Sequence, residues 1–199
     1  MKNILIFDFG GVLIDWNPHY LYDPYFGDPA KAEWFLQNIC TMDWNIQMDG
    51  GKPFAQGIAE LSAVYPEWSR EIELYYSGWP KMVAGPVPGM LELLGELKQQ
   101  GYRLFGLSNW SRETYPYIEH SYPVLDLLEG KVVSGYEGLF KPQPAIFELL
   151  LSRFSLKAED CIFIDDNAAN VAGAEAVGIS GMLFRSADDL REKLAQGKL

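Results

Sequence analysis

The chain has 199 residues, 48% of them hydrophobic and 22% charged, which suits one domain, or a core with a moderate insertion, and excludes a disordered chain. Its formal net charge of −11, from 16 basic and 27 acidic residues, repels nucleic acid and anionic membranes in general, so any phosphate is expected to be handled by a metal and a few placed cations in a local pocket. The two cysteines, Cys40 and Cys161, form neither a CxxC pair nor a zinc spacing. They read as buried small apolar residues in a cytoplasmic chain.

At the start, NILIFD (3–8) is a short apolar run ending in an acid, the signature of a buried strand of a parallel sheet. It is too short for a signal peptide, and no run of about 18 apolar residues offers a membrane span. GGVLID follows, with two glycines where the chain must turn or approach something closely. From 16 to 83 aromatic residues are dense and apolar residues recur at helical spacing, as in Ala32-Phe35-Leu36-Ile39, predicting several short packed helices. Within this stretch 42–51 reads as a loop facing a substrate, with Trp44, Gln47 and Asp49 as candidates for selecting its leaving group. GPVPG (85–89) is punctuation and marks a return hinge.

Beyond it helices and strands alternate. Met90 to Gln100 is predicted helical, stopped by Gly101, and Arg103 to Leu107 is a strand ending in Ser108-Asn109. Ser111 to His120 reads as a helix and Lys131 to Ser134 as a strand. Pro144 to Phe154 is a helix with prolines near its start. Cys161 to Ile164 is a strand ending in Asp165-Asp166. The helix 168–177, the strand 181–184 and the helix 187–195 close the chain. This alternation implies an α/β fold, a parallel sheet covered on both faces, whose ligands bind beyond the carboxyl ends of the strands.

Asp8, Ser108, Asp165 and Asp166 all fall at such ends. Three carboxylates on one edge repel unless a cation sits among them. A hard divalent ion, magnesium beside a phosphate, answers that need. Lys141, in FKP, reaches in from a loop. The metal, the lysine and the hydroxyl then hold phosphoryl oxygens while a carboxylate attacks in line.

In this order ILIFDFGGVL, LFGLSNW, LFKPQPAIF and FIDDNAANVAGAEAVG resemble the four motifs of the haloacid dehalogenase-like hydrolase superfamily, over nearly the whole chain. The resemblance implies a Rossmann-like three-layer core (1–15 and 84–199) with an inserted helical-bundle cap (16–83). It implies a magnesium-dependent phosphatase acting on a small phosphorylated metabolite, as a monomer or homodimer, with Asp8 forming an aspartyl-phosphate. Magnesium is then held by Asp8, the Gly10 carbonyl and Asp166, with Asp165 a water-mediated partner. Ser108 and its neighbour Asn109 take phosphoryl oxygens where Gly10 and Gly11 let the chain approach, and Lys141 neutralises nucleophile and phosphate.

One position departs from the pattern. Most phosphatases of the family have an Asp two residues after the nucleophile as general acid and base, and here it is Gly10. That chemistry is worth about 10²–10⁴-fold, so the chain must be slow, recruit another donor such as Asp15, or act on a good leaving group. An anomeric sugar phosphate such as glucose 1-phosphate fits the last case, and a bacterial sugar-1-phosphate phosphatase group shares the DxG pattern. The alternatives are a haloacid dehalogenase and a non-catalytic binder of the same fold. Asn170, four residues past Asp166, is placed to orient a metal ligand. His19 and His120 read as surface residues.

Overall fold

A computed structural model describes residues 2–196. Strand β1 (Ile4–Phe7) leads through a tight turn to β2 (Ile14–Trp16) and then into five helices: α1 (His19–Phe26), α2 (Pro29–Asn38), α3 (Met42–Asp49), α4 (Phe54–Val64) and α5 (Ser69–Ser77). The chain returns through β3 (Val83–Pro86) and continues with α6 (Met90–Gln99), β4 (Arg103–Ser108), α7 (Pro116–Glu119), α8 (Pro123–Asp126), β5 (Gly130–Val133) and α9 (Ser134–Glu137). It ends with α10 (Pro144–Arg153), β6 (Cys161–Asp165), α11 (Ala168–Ala176), β7 (Ser180–Leu183) and α12 (Ala187–Ala195).

The main sheet runs β5-β4-β1-β6-β7 and its pairs are all parallel. Alternation along each strand sends side chains to opposite faces. Ile4, Ile6, Phe105, Leu107 and Phe163 pack against Ile146, Phe147 and Leu150 of α10. Leu5, Phe7, Leu104, Ile162 and Ile164 pack on the other side with Met90, Leu93, Leu94 and Leu97 of α6. These side chains are buried, each stabilising the fold by about 1.5–3 kcal/mol relative to exposure. The fold is thus the three-layer α/β arrangement expected. Among the described residues no helix is long and apolar enough to cross a membrane. Both cysteines are buried and free.

Two local expectations are corrected. Residues 42–49 form a helix, not a loop. The Thr41 hydroxyl accepts from the backbone N–H of Trp44 at 3.1 Å, satisfying a first-turn donor, and the helix ends at Gly50 before Gly51, which has φ +105°. The helix expected over 111–120 is reduced to α7, because Pro116 lacks the N–H that a longer helix needs. Residues 83–86, which run into the expected return hinge at 85–89, form a strand that pairs antiparallel with β2, Asp15 opposite Gly85. This ribbon carries the chain out to the five helices and back.

Candidate active site

The carboxyl ends of β1, β4 and β6 meet at one edge of the sheet, and α3 lies across that edge. Between them is a cavity of about 550 Å³. Asp8, Asn109, Lys141 and Asp166 form its floor, Asn45, Ile46 and Asp49 of α3 its roof, and Trp16, Trp79, Trp110 and Phe140 much of its wall.

Asp8 follows β1, and its backbone N–H continues the parallel ladder by donating to Ile164 O at 2.9 Å. Its Oδ1 accepts from Lys141 Nζ at 2.7 Å and from the Phe9 N–H at 2.6 Å. Its Oδ2 has no hydrogen-bond partner among the described residues and is left to the cavity. Burial pushes the Asp8 carboxyl up to about 7, the charge of Asp165 adds to the rise, and Lys141 pulls the other way. A carboxylate this poorly solvated needs positive charge beyond one lysine.

Lys141 is held at both ends. Its ammonium lies 2.7 Å from Asp8 and 2.7 Å from Asp165, with its side chain fully buried. Burial works against its charge, but the two carboxylates outweigh this and hold its pKa above the usual lysine range. Its backbone is clamped by Asn109, whose Oδ1 accepts from Lys141 N at 2.8 Å and whose Nδ2 donates to Lys141 O at 2.9 Å. One bond at each end of the Asn109 amide thus positions the lysine, and Asn109 also lines the cavity with a second Nδ2 hydrogen to donate.

Asp165 and Asp166 are adjacent in sequence but differ in surroundings. Asp165 is wholly buried. Its Oδ1 accepts from the Asn167 N–H at 2.8 Å, its Oδ2 from Lys141 at 2.7 Å, and both oxygens lie 3.1 Å from Asn170 Nδ2. Asn170 thus orients Asp165 and makes no bond to Asp166, the residue one helical turn before it. Asp166 is exposed to the cavity. Gly11 makes room for it: a Cβ at this position would sit 2.4 Å from Asp166 Oδ2, and φ is +75°, a region side chains avoid. The Gly11 N–H is already donated to Ile14 O at 2.9 Å, so it is not free for a phosphate.

Asp8, Asp165 and Asp166 each offer a carboxylate oxygen within 4.8 Å of one another. A hard oxygen donor set with unbalanced negative charge fits a divalent cation of the magnesium kind.

Three expected residues fall elsewhere. Ser108 ends β4, but its side chain is buried, with its hydroxyl 3.5 Å from Asn109 O, outside the cavity lining. Trp44 and Gln47 are turned away from the cavity by the helical phase of α3. Trp44 packs between Tyr75 and Phe54 and donates from Nε1 to Gly57 O at 3.2 Å. Gln47 is exposed and accepts from Lys52 at 2.7 Å. Asp49 remains, two positions past Gln47, and it faces in. Asp15 lies outside the lining, with both carboxyl oxygens 3.0 Å from the Tyr20 hydroxyl. The wall tryptophans were not singled out by sequence. Trp16 ends β2 and Trp79 precedes β3, so the paired ribbon carries both to the wall, and Trp110, which follows the Ser108-Asn109 strand end, packs edge-on to Trp79 with ring centroids 5.5 Å apart.

A family model described as haloacid dehalogenase-like hydrolase matches residues 2–178. The sesquiterpene phosphatase of Aspergillus oryzae is 30% identical over 183 residues, 89% of this chain and 87% of that protein. A haloacetate dehalogenase of a Moraxella species is 33% identical over 93 residues, 47% of this chain and 42% of that protein, so the chain spans less than half of that relative. Among solved structures, a HAD family enzyme of Bacteroides thetaiotaomicron in complex with magnesium and inorganic phosphate superposes with a TM-score of 0.71 at 22% identity, covering 94% of this chain and 96% of the other.

Proposed function

The chain belongs to the haloacid dehalogenase-like hydrolase family, and within it we propose that it is a magnesium-dependent phosphatase of a small phosphorylated metabolite, working through an aspartyl-phosphate on Asp8. The observation that carries this reading is the Asp8 carboxylate, with Oδ1 pinned by Lys141 and the Phe9 N–H and Oδ2 open to a cavity that also holds Asp166. Asp8, the Gly10 carbonyl and Asp166 would hold the magnesium, which would neutralise the carboxylates and the phosphoryl oxygens. Asp165 stands behind them, its oxygens already occupied by Lys141, Asn167 and Asn170.

Asp8 attacks phosphorus in line, and Lys141 keeps the carboxylate ionised and oriented as it does so. Water then cleaves the aspartyl-phosphate and frees Asp8. Residues 16–83 act as a cap over the core formed by 1–15 and 84–199, excluding bulk water during the reaction.

For the leaving group, a sugar phosphate such as glucose 1-phosphate suits the tryptophans of the wall, on which a sugar ring can stack. A second class, an apolar isoprenoid-type monophosphate, is favoured by the share of the wall that is Trp16, Trp79, Trp110, Phe140 and Met42. It is also the kind of substrate that the name of the Aspergillus relative points to. Dehalogenation is disfavoured, since a halide leaves without needing a metal and the three-carboxylate cluster would serve no purpose. The test is phosphate release from a panel of sugar, nucleotide and prenyl monophosphates, together with a haloacid, with and without magnesium. Halide release, or no phosphate release from any member with any divalent metal, overturns the reading.

A further inference from the structure

We propose that Asp49, on the cap helix α3, is the proton donor and acceptor that replaces the carboxyl missing at Gly10. This rests on the phosphatase reading above and deepens it.

In-line attack fixes where such a donor must stand. Asp8 approaches phosphorus from the floor, so the leaving oxygen points to the opposite side, toward α3. Four acids other than Asp8 bear on the choice. Asp166 lies against Gly11 on the floor. Asp15 is bonded to Tyr20 outside the cavity. Asp43 is on the exposed rim of α3. Asp49 alone both lines the roof and is withdrawn from bulk solvent.

Its place is fixed from two sides. Asn45, buried one helical turn earlier, donates from Nδ2 to Asp49 Oδ2 at 2.9 Å. The Asp49 carbonyl accepts from the Ser134 hydroxyl, and the same hydroxyl accepts from the Trp110 N–H at 2.9 Å. Ser134 therefore ties the end of α3 to the loop beyond β4, on the core. The Ser111 N–H also reaches the carboxyl. Burial pushes Asp49 up to about 7, with the negative charge of Asp8 adding to the rise, while the Ser111 N–H and Lys141 oppose it. A carboxyl in that range is protonated often enough to donate and ionised often enough to accept near neutral pH.

The steps balance. A carboxylate oxygen of Asp8 forms the bond to phosphorus as the bond to the leaving oxygen breaks with its electron pair. The Asp49 proton passes to that oxygen, giving the free alcohol. Asp49, now ionised, takes a proton from the water that attacks the aspartyl-phosphate. Phosphate leaves, and Asp8 ionised and Asp49 protonated are restored.

The test uses magnesium-loaded enzyme and three phosphates of similar shape but increasingly poor leaving groups: p-nitrophenyl, phenyl and benzyl phosphate. Rapid-quench measurement of the first turnover isolates attack by Asp8 from the later water step. In Asp49→Asn the first turnover of benzyl phosphate should fall by about 10²–10⁴-fold, while that of p-nitrophenyl phosphate stays within about tenfold and appears as a burst before slow turnover. Asp49→Glu should recover part of the benzyl rate. First turnovers that fall equally for all three substrates, or that do not fall, overturn the role of Asp49 and leave the phosphatase reading standing. A wild-type enzyme that releases none of the three alcohols overturns both.

Discussion

Replacing Lys141 by methionine probes the electrostatics of the site most directly. Methionine keeps the apolar stem and removes the charge that lies 2.7 Å from both Asp8 and Asp165. Two buried carboxylates then face each other. Removing one partner of a buried ion pair costs about 3–5 kcal/mol. For a chain of this size each 1 kcal/mol moves Tm by about 2–4 °C, so the metal-free variant should melt roughly 6–20 °C lower. The loss depends on pH. Asp8 already titrates at about 7, raised by burial and by Asp165 while Lys141 holds it down, and without the lysine it rises further. A carboxyl with a raised folded pKa makes the folded state bind more protons than the unfolded chain. Its stability is full below the unfolded value near 4 and is lost as pH climbs through the folded one. The deficit of Lys141→Met should therefore be smallest at pH 5 and widen to pH 8. Urea or thermal unfolding of both proteins in chelator, at pH 5, 6.5 and 8, measures it, and magnesium should recover part of the difference. A variant as stable as wild type at pH 8, or a deficit that does not change with pH, would refute the account.

Asp8→Asn should abolish phosphate release, yet in chelator at pH 8 it should melt no lower than wild type, because it removes a carboxylate that burial disfavours. Magnesium at 100-fold over its Kd should stabilise wild type by about 2.7 kcal/mol, seen as a rise in Tm that Asp166→Ala abolishes. Gly11→Ala, forced to φ +75° with its Cβ against Asp166, should destabilise the fold by at least about 1 kcal/mol and weaken that magnesium-induced shift, read by the same melting curves. Trp44→Ala should cost about 3–5 kcal/mol of stability, while Gln47→Ala changes neither stability nor turnover by more than a small factor, since its side chain is on the outer face of α3.

The parallel sheet was legible because β1, β4 and β6 are largely apolar runs, each ending in or followed directly by a polar residue. Such runs need burial on both faces, and their carboxyl ends share an edge. This placed Asp8, Asp165 and Asp166 together before any geometry was known. Lys141 was legible only as a loop cation, and nothing local predicts that Asn109 clamps its backbone across 32 residues of chain. The division between Asp165 and Asp166 was also hidden, because it depends on which side of β6 each carboxyl leaves and on Gly11 from another segment. At 42–51 the reading failed for a simple reason. Polar residues before a glycine pair resemble a loop, but Thr41 caps a helix there, and its period, not residue type, decides that Asn45 and Asp49 face the cavity while Trp44 and Gln47 do not.

Helical phase also bears on the charge of the cavity. Asp8, Asp166 and Asp49 line the cavity and Asp165 stands behind it on Lys141, four carboxyl groups against one ammonium, while a fifth, Asp43, is exposed at the rim, where water screens its charge. A divalent cation with that lysine carries three positive charges, one fewer than four ionised acids. With Asp49 protonated the balance is even, and the site meets an incoming phosphate without excess negative charge of its own. An ionised Asp49 would instead repel both Asp8 and the substrate across a poorly solvated gap. Gly10 removes a carboxyl from the floor, where it would crowd Asp8, and α3 returns one from the roof, where the leaving oxygen must pass. In the proposed mechanism the two features are complementary: the floor keeps only the acids that would hold Lys141 and a cation, and the acid that handles protons comes from α3.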